Sequence, residues 1–361
     1  MHINLDVPEY RLSCRLPFFF SISDVDGKRV EVQILINGKS IYETALAVDR
    51  NAEAHFYDLR SLVHEYMQNQ SFTTGLLNIK ARDDDSEEML PDPVQVLFAK
   101  IDAPCEDDDR FLSCSFLTTR SFYMLPRTAA TSLNYVLVAQ ERATPRISCV
   151  FSQGRSGDTT AYTFTLDPVE NTKSVMEVYS LSISHDIIRS LACDRGHTTF
   201  EWLLSATITI GCRTFSIFFT TETPARIFRF RNAYNVEEYA FIFGKAKQKT
   251  VFSNKEASSC GVTSFYDRTK EITTEIETSA LVPEEARWLN QLFDSHAAYT
   301  MATDFWQELV LFDGITSEIS DADDEVIRLK FSYRYDYGTE YSPEIPENTG
   351  IFTREYNDPF I

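Results

Sequence analysis

The chain has 361 residues, 43% of them hydrophobic, with 27 Phe and 17 Tyr and a formal net charge of −20. At a rough ~150 residues per domain, this length holds two or three domains, and each buried Phe contributes roughly 1.5–3 kcal/mol, so several cores can form without cross-links. The charge argues against nucleic acid and anionic membrane as partners, because both present phosphate, and no window approaches the ~18 apolar residues of a membrane span.

Seven cysteines stand at Cys14, Cys105, Cys114, Cys149, Cys193, Cys212 and Cys260. An odd count at wide spacing predicts reduced thiols in a protein made in a reducing compartment. The opening stretch has no basic segment, and its apolar run Leu16–Phe20 is too short for a secretory signal. A chain not exported by a cleaved signal is therefore expected.

Residues 1–103 read as an Ig-like β-sandwich domain. A strand is expected over Leu12–Ser23, followed by a turn at Asp26-Gly27. Val30, Val32, Ile34 and Ile36 then alternate onto one strand face. Asn37-Gly38 is a strong two-residue hairpin signal, after which Tyr42, Leu46 and Val48 face the same core. From Phe56 to Met67, the residues Leu59, Leu62, Val63 and Tyr66 keep helical spacing, with Asp58 as the expected cap. Gly75 opens a strand to Ala81, the acidic loop Asp83–Glu88 follows, and a strand covers Val94–Ala99.

Residues 104–222 read as a second β-rich domain. A surface linker over Pro104–Asp109 leads to strands at Phe111–Leu117, Leu133–Val138 and Ile147–Val150. A hairpin around Gly154–Gly157 and a strand at Tyr162–Leu166 come next. The stretch from Leu181 to Leu191 turns helical after a strand, as Phe56–Tyr66 does, which hints at a duplicated sandwich. The sheet centre is the run that begins at Ala206. Ile208 and Ile210 alternate with Thr207 and Thr209, Gly211 permits a reversal, and Phe215, Ile217 and Phe219 alternate with Thr214, Ser216 and Phe218.

Residues 223–337 read as an α+β domain. Phe228 and Phe230 lie between Arg226, Arg229 and Arg231, a tight basic group expected to be solvated or ion-paired. Pro283, Glu284 and Glu285 suit the first turn of a helix, whose apolar stripe is Trp288, Leu289, Leu292 and Phe293. Strands at Glu308–Leu311 and Val326–Tyr333 flank the acidic turn Asp321–Glu325. Residues 338–361 carry three prolines and no period, and read as an extended arm. The fold expected is mainly β: tandem β-sandwich-like domains followed by a C-terminal α+β domain with one amphipathic helix.

Motifs for chemistry fail one by one. His64-Glu65 lacks the second His of HExxH. Gly154-Arg155-Ser156-Gly157 is one residue short of a nucleophile elbow. Neither phosphate-binding glycine motif occurs, and no His pairs with another His or Cys at zinc-finger spacing. His185-Asp186 is read as a surface pair. Asp321–Glu325 lacks the Gly and the closing Glu of a calcium loop, so the acidic clusters are read as solvated. Carboxylate pairs for glycoside hydrolysis come from distant strands, and 54 acids do not identify one. The expectation is a protein with no catalytic, cofactor-binding or metal-binding residues.

Three C-terminal segments carry a family resemblance. Phe230-Arg231-Asn232 with Glu237-Glu238 and Gly244 forms the first. The second is Thr278, Leu281, Glu285, Trp288, Leu289, Leu292, Ser295 and Tyr299. The third pairs Glu308-Leu309-Val310 with Leu329-Lys330-Phe331-Ser332-Tyr333. Together they resemble a family of tail- and baseplate-associated structural proteins of phages and prophages of Bacteroides-type bacteria. Where that family has a Gly after Asn232, this chain has Ala233-Tyr234-Asn235. The resemblance implies a virion component made in the host cytoplasm. Its partners would be other copies of itself and other virion proteins, with host-surface glycan as a further contact. In that reading Tyr341, Ile345, Phe352, Tyr356 and Phe360 of the arm mediate assembly. A carbohydrate-binding sandwich is the alternative, and a glycoside hydrolase the third.

Overall fold

In the computed structural model, which describes residues 1–84, 86–102, 107–153, 158–196, 202–259, 262–302, 305–316 and 326–335, the protein is mainly β. It has β-sandwich-like sheets in tandem, followed by an α+β part with one amphipathic helix. The chain divides into two compact units, one of Met1–Glu222 with Arg231–Glu238, the other of Thr223–Phe230 with Tyr239–Ile361. The expected boundary between residues 103 and 104 falls inside the first unit.

The first sandwich of the first unit sets a six-stranded sheet against a three-stranded one. The six-stranded sheet runs in the order Tyr10–Leu12, Val94–Leu97, Thr74–Arg82, Arg29–Ile36 and Lys39–Ala47, with Glu87–Met89 also paired to Thr74–Arg82. Val30, Val32, Ile34 and Ile36 are fully buried, as their alternation requires. Asn37 and Gly38 both have positive φ, 53° and 78°, as a two-residue type I′ turn demands. Leu46 and Val48 pack on the core, and Tyr42, opposite buried Ile34 in the register, sets its ring edge-on to Phe56 at 5.7 Å while staying 43% exposed. The three-stranded sheet comprises His2–Asn4, Phe19–Ser23 and Ala54–Tyr57, all antiparallel. Phe20, Ile22, Ala54 and Phe56 bury its inner face.

The single strand expected over Leu12–Ser23 is broken. Ser13–Arg15 forms a 3-10 turn, because Ser13 Oγ accepts from Ala99 N (2.9 Å) and Arg15 reaches Asp108 (2.6 Å). Helix α1 spans Leu59–Asn69 and buries Leu59, Val63 and Met67 at four-residue spacing, while Phe56 and Tyr57 belong to the preceding strand. Asp58 stands at its N-cap in left-handed backbone (φ 72°), so its side chain makes no cap bond.

The expected strand Phe111–Leu117 is replaced by helix α2, Asp108–Cys114. Asp107 caps it by accepting from Asp109 N (3.0 Å), and Asp108 and Asp109 occupy the positive first turn. The second sandwich has a five-stranded sheet in the order Phe122–Pro126, Arg213–Thr220, Trp202–Ile210, Pro145–Gln153 and Asp158–Thr165. Opposite lies the pair Ala130–Leu137 and Glu177–Ser184. Phe116 joins the layers, with its ring edge-on to both Tyr135 and Phe215. Helix α3, His185–Gly196, follows Glu177–Ser184 directly, as α1 follows its strand.

A tight turn at residues 232–235 completes the first unit. Asn232 Oδ1 accepts from Tyr234 N (2.9 Å), and Asn232 Nδ2 donates to Leu117 O (2.7 Å). Asn235 takes the left-handed conformation (φ 62°) that a Gly would otherwise supply. Its carboxamide donates to both Met67 O and Phe72 O at 3.1 Å.

The second unit is built on a seven-stranded sheet in the order Glu237–Ile242, Arg226–Arg231, Ala298–Ala302, Phe305–Thr316, Lys330–Tyr335, Val262–Thr278 and Gly244–Ser259. Helix α4, Pro283–Phe293, covers one face with Ala286, Trp288, Leu289 and Leu292 buried. Glu285 accepts from Val282 N (3.3 Å), half of a capping box. Trp288 sets its ring edge-on to Phe230 at 5.6 Å. Gly244 (φ 138°) is obligatory, since a Cβ there would lie 2.2 Å from Glu277 O. The expected strand from Val326 starts later, at Lys330, with Ile327 in an isolated bridge to Leu281.

Candidate functional site

Two exposed sheet faces, both in the first unit, carry side chains that packing does not require. The first is the outer face of the three-stranded sheet. Three consecutive Phe residues enter it, and because strand side chains alternate, Phe20 turns inward while Phe19 turns out. Phe18, Phe19 and Tyr57 are 53%, 54% and 59% exposed. Tyr57 stands opposite Phe19 in the register. Its ring centre lies 6.1 Å from that of Phe19, 6.4 Å from that of Phe18 and 6.4 Å from the His55 imidazole.

Polar groups continue this face. His55 is opposite Ser21, and Asn4 Nδ2 donates to Ser23 Oγ (3.1 Å). His55 Nε2 lies 3.7 Å from Glu53 Oε2, and polar atoms of Asp49, Glu53 and His55 fall within 4.8 Å of one another. Asp49 accepts from Glu53 N (2.9 Å) and Asn51 N (2.8 Å). Those two backbone donors, Glu53 first, hold its carboxyl below the usual range. Chemically, the face offers stacking surface beside hydrogen-bond acceptors and an imidazole. The sequence signal for it was the Phe18–Phe20 run, which on a strand must send at least one ring outward.

The second is the outer face of the five-stranded sheet. Met124, Trp202, Leu204 and Phe218 are 40%, 52%, 36% and 46% exposed. Met124 and Phe218 are register partners on parallel strands, and Phe122 meets Phe218 edge-on at 6.1 Å. The Arg127 guanidinium lies over the Trp202 ring at 4.8 Å. The face opposite Ile208, Ile210, Phe215 and Ile217, on which Thr207, Thr209, Thr214 and Ser216 alternate with them, is thus apolar over part of its area.

The other residues singled out in the sequence have contacts within the fold or lie outside the described residues. His64 sits with its Nδ1 3.1 Å from Ser13 Oγ and its ring on Phe98 at 4.6 Å. His185 is not a surface residue. It is buried, with Nδ1 2.8 Å from Asp186 Oδ1 and its ring edge-on to Phe219 at 5.4 Å. Contact between these adjacent residues follows from the start of α3, where His185 is the first helical residue. Arg226, Arg229 and Arg231 are each engaged, with Tyr333 OH (2.9 Å), the Tyr299 ring (4.9 Å) and Asn235 O (2.8 Å).

Of the acidic clusters, Asp83 accepts from Ser86 N (2.6 Å), and Asp108 is buried between Arg11 (3.3 Å) and Arg15 (2.6 Å). The solvated reading therefore fails for Asp108, because α2 docks it on the Ser13–Arg15 turn. Gly154–Gly157, Asp321–Glu325, and the arm residues Tyr341, Ile345, Phe352, Tyr356 and Phe360 lie outside the described residues. Buried Arg213 donates to Leu112 O and Val136 O and lies 3.6 Å from Glu141; burial pushes its guanidinium down from the usual range. No described helix is long and apolar enough to cross a membrane.

No family model matches the chain, and no characterised protein matches it in sequence. Among solved structures, the N-terminal four Ig domains of Dscam1 isoform 6.44 align with 84% of this chain and 70% of that one, at 8% identity and a TM-score of 0.15. At that score the alignment carries no weight.

Proposed function

We propose that the chain is a non-enzymatic structural component of a phage virion, in the tail or baseplate, that assembles with copies of itself and with other virion proteins. The observation that supports this reading is the apolar outer face of the five-stranded sheet. Met124, Trp202, Leu204 and Phe218 there expose more than a third of their surface on neighbouring strands. Contiguous apolar area on an otherwise charged protein marks an interaction surface, and covering it stabilises a complex by about 25 cal/mol per Å² before the costs of association. The sequence resemblance adds the virion context. In this reading the stretch 338–361, with Tyr341, Ile345, Phe352, Tyr356 and Phe360, supplies a second contact by its composition.

The test is electron microscopy of purified particles labelled with antibody against this chain. Label on the tail or baseplate is the expected result. Particles that never carry label overturn the reading.

A further inference from the structure

The outer face of the three-stranded sheet differs from the apolar face just discussed. Phe18, Phe19 and Tyr57 form a group of rings each more than half exposed, and the face then continues through His55 to Glu53 and Asp49. We propose that this face is a carbohydrate-binding site whose ligand is a neutral oligosaccharide of pyranose units. The ring faces are electron-rich and attract the polarised C–H groups of a pyranose face. Hydroxyls on the next unit along the strands then meet carboxylate acceptors and an imidazole that can accept or donate.

The chemistry of the face selects among occupants. Phosphate-bearing ligands meet the carboxylates of Asp49 and Glu53 and are repelled. A membrane surface or a purely apolar partner would bury those carboxylates without donors. A cationic peptide is the remaining competitor. However, Asp49 already accepts two backbone N–H bonds, and Glu53 has His55 at 3.7 Å. What favours a sugar over a cation is the ring group: a pyranose face stacks on the rings while its hydroxyls fill the remaining lone pairs, whereas a lysine chain answers only the carboxylates.

The experiment is calorimetric titration of the full chain with cellohexaose, maltohexaose, mannohexaose and chitohexaose, with hexalysine as the cationic control. At least one hexasaccharide should bind. Tyr57→Ala and Phe19→Ala should each weaken it by about tenfold or more, while Tyr57→Phe retains binding because the ring is kept. Ile187→Ala, at an exposed position of α3, should leave the affinity unchanged. Thermal unfolding monitored by circular dichroism should not move for the Tyr57 variants, so loss of binding is separable from loss of fold. Binding of none of the four sugars, equal binding by Tyr57→Ala, or binding of hexalysine in their place overturns the proposal.

Discussion

Asn235 shows how one side chain can settle a local conformation and a long-range contact together. Its left-handed backbone closes the 232–235 turn, and its carboxamide joins carbonyls at Met67 and Phe72. Asn235→Gly keeps the backbone freedom and removes both donors, so it should lower stability by roughly 1–3 kcal/mol, read as a shift in urea midpoint. His64 gives a pH dependence. Burial, aided by the Lys100 charge, lowers its pKa in the folded state. Below the unfolded value of about 6.5 the unfolded chain therefore binds the proton more readily. Stability should fall as pH drops from that value toward the folded pKa, and His64→Gln should fall less steeply over the same range. The thiols divide by exposure: burial pushes Cys149 up to about 12, while Cys212 is exposed. Iodoacetamide on the native protein should modify Cys212 and spare Cys149; equal labelling would mean that the core opens readily.

At the scale of elements, α4 is the best test of the packing. Trp288 is 4% exposed and meets Phe230, so Trp288→Ala should cost roughly 3–5 kcal/mol; an unchanged denaturant midpoint would contradict its core role. This helix was legible in the sequence because Pro283, the two following Glu and a regular apolar stripe agree. The Val30–Ile36 strand and its Asn37-Gly38 turn were legible for the same reason. Helix α2 was not, because Phe111–Leu117 is a short apolar run, which periodicity alone does not assign. Its cap, Asp107, looked like part of an acidic linker. The break at Ser13–Arg15 had no local signal, since it is fixed by Ala99 and Asp108, both more than eighty residues away in sequence. The exposed aromatic face was half legible: three Phe in a row implied an outward ring, but its pairing with Tyr57 needed the strand register.

For the whole molecule, the assembly reading predicts that Phe218→Glu lowers the assembled fraction in sedimentation while leaving monomer unfolding nearly unchanged, because Phe218 is 46% exposed. Deleting residues 339–361 should do the same if that stretch supplies the second contact. A monomeric wild-type chain at all concentrations would remove the self-association part of the reading. The division of the chain also bears on its synthesis. Residues 231–238 belong to the first unit although residues 223–230 precede them in the other. A nascent chain that has emerged only to Glu222 still lacks the donors that Asn232 gives Leu117 and Asn235 gives Met67 and Phe72, and the Ala233 carbonyl that accepts from Lys100 N. The first unit therefore cannot finish folding until the ribosome has moved on by a further stretch, a wait on the order of a second or a few at ordinary elongation rates. Cutting the gene after codon 222 would make that wait permanent.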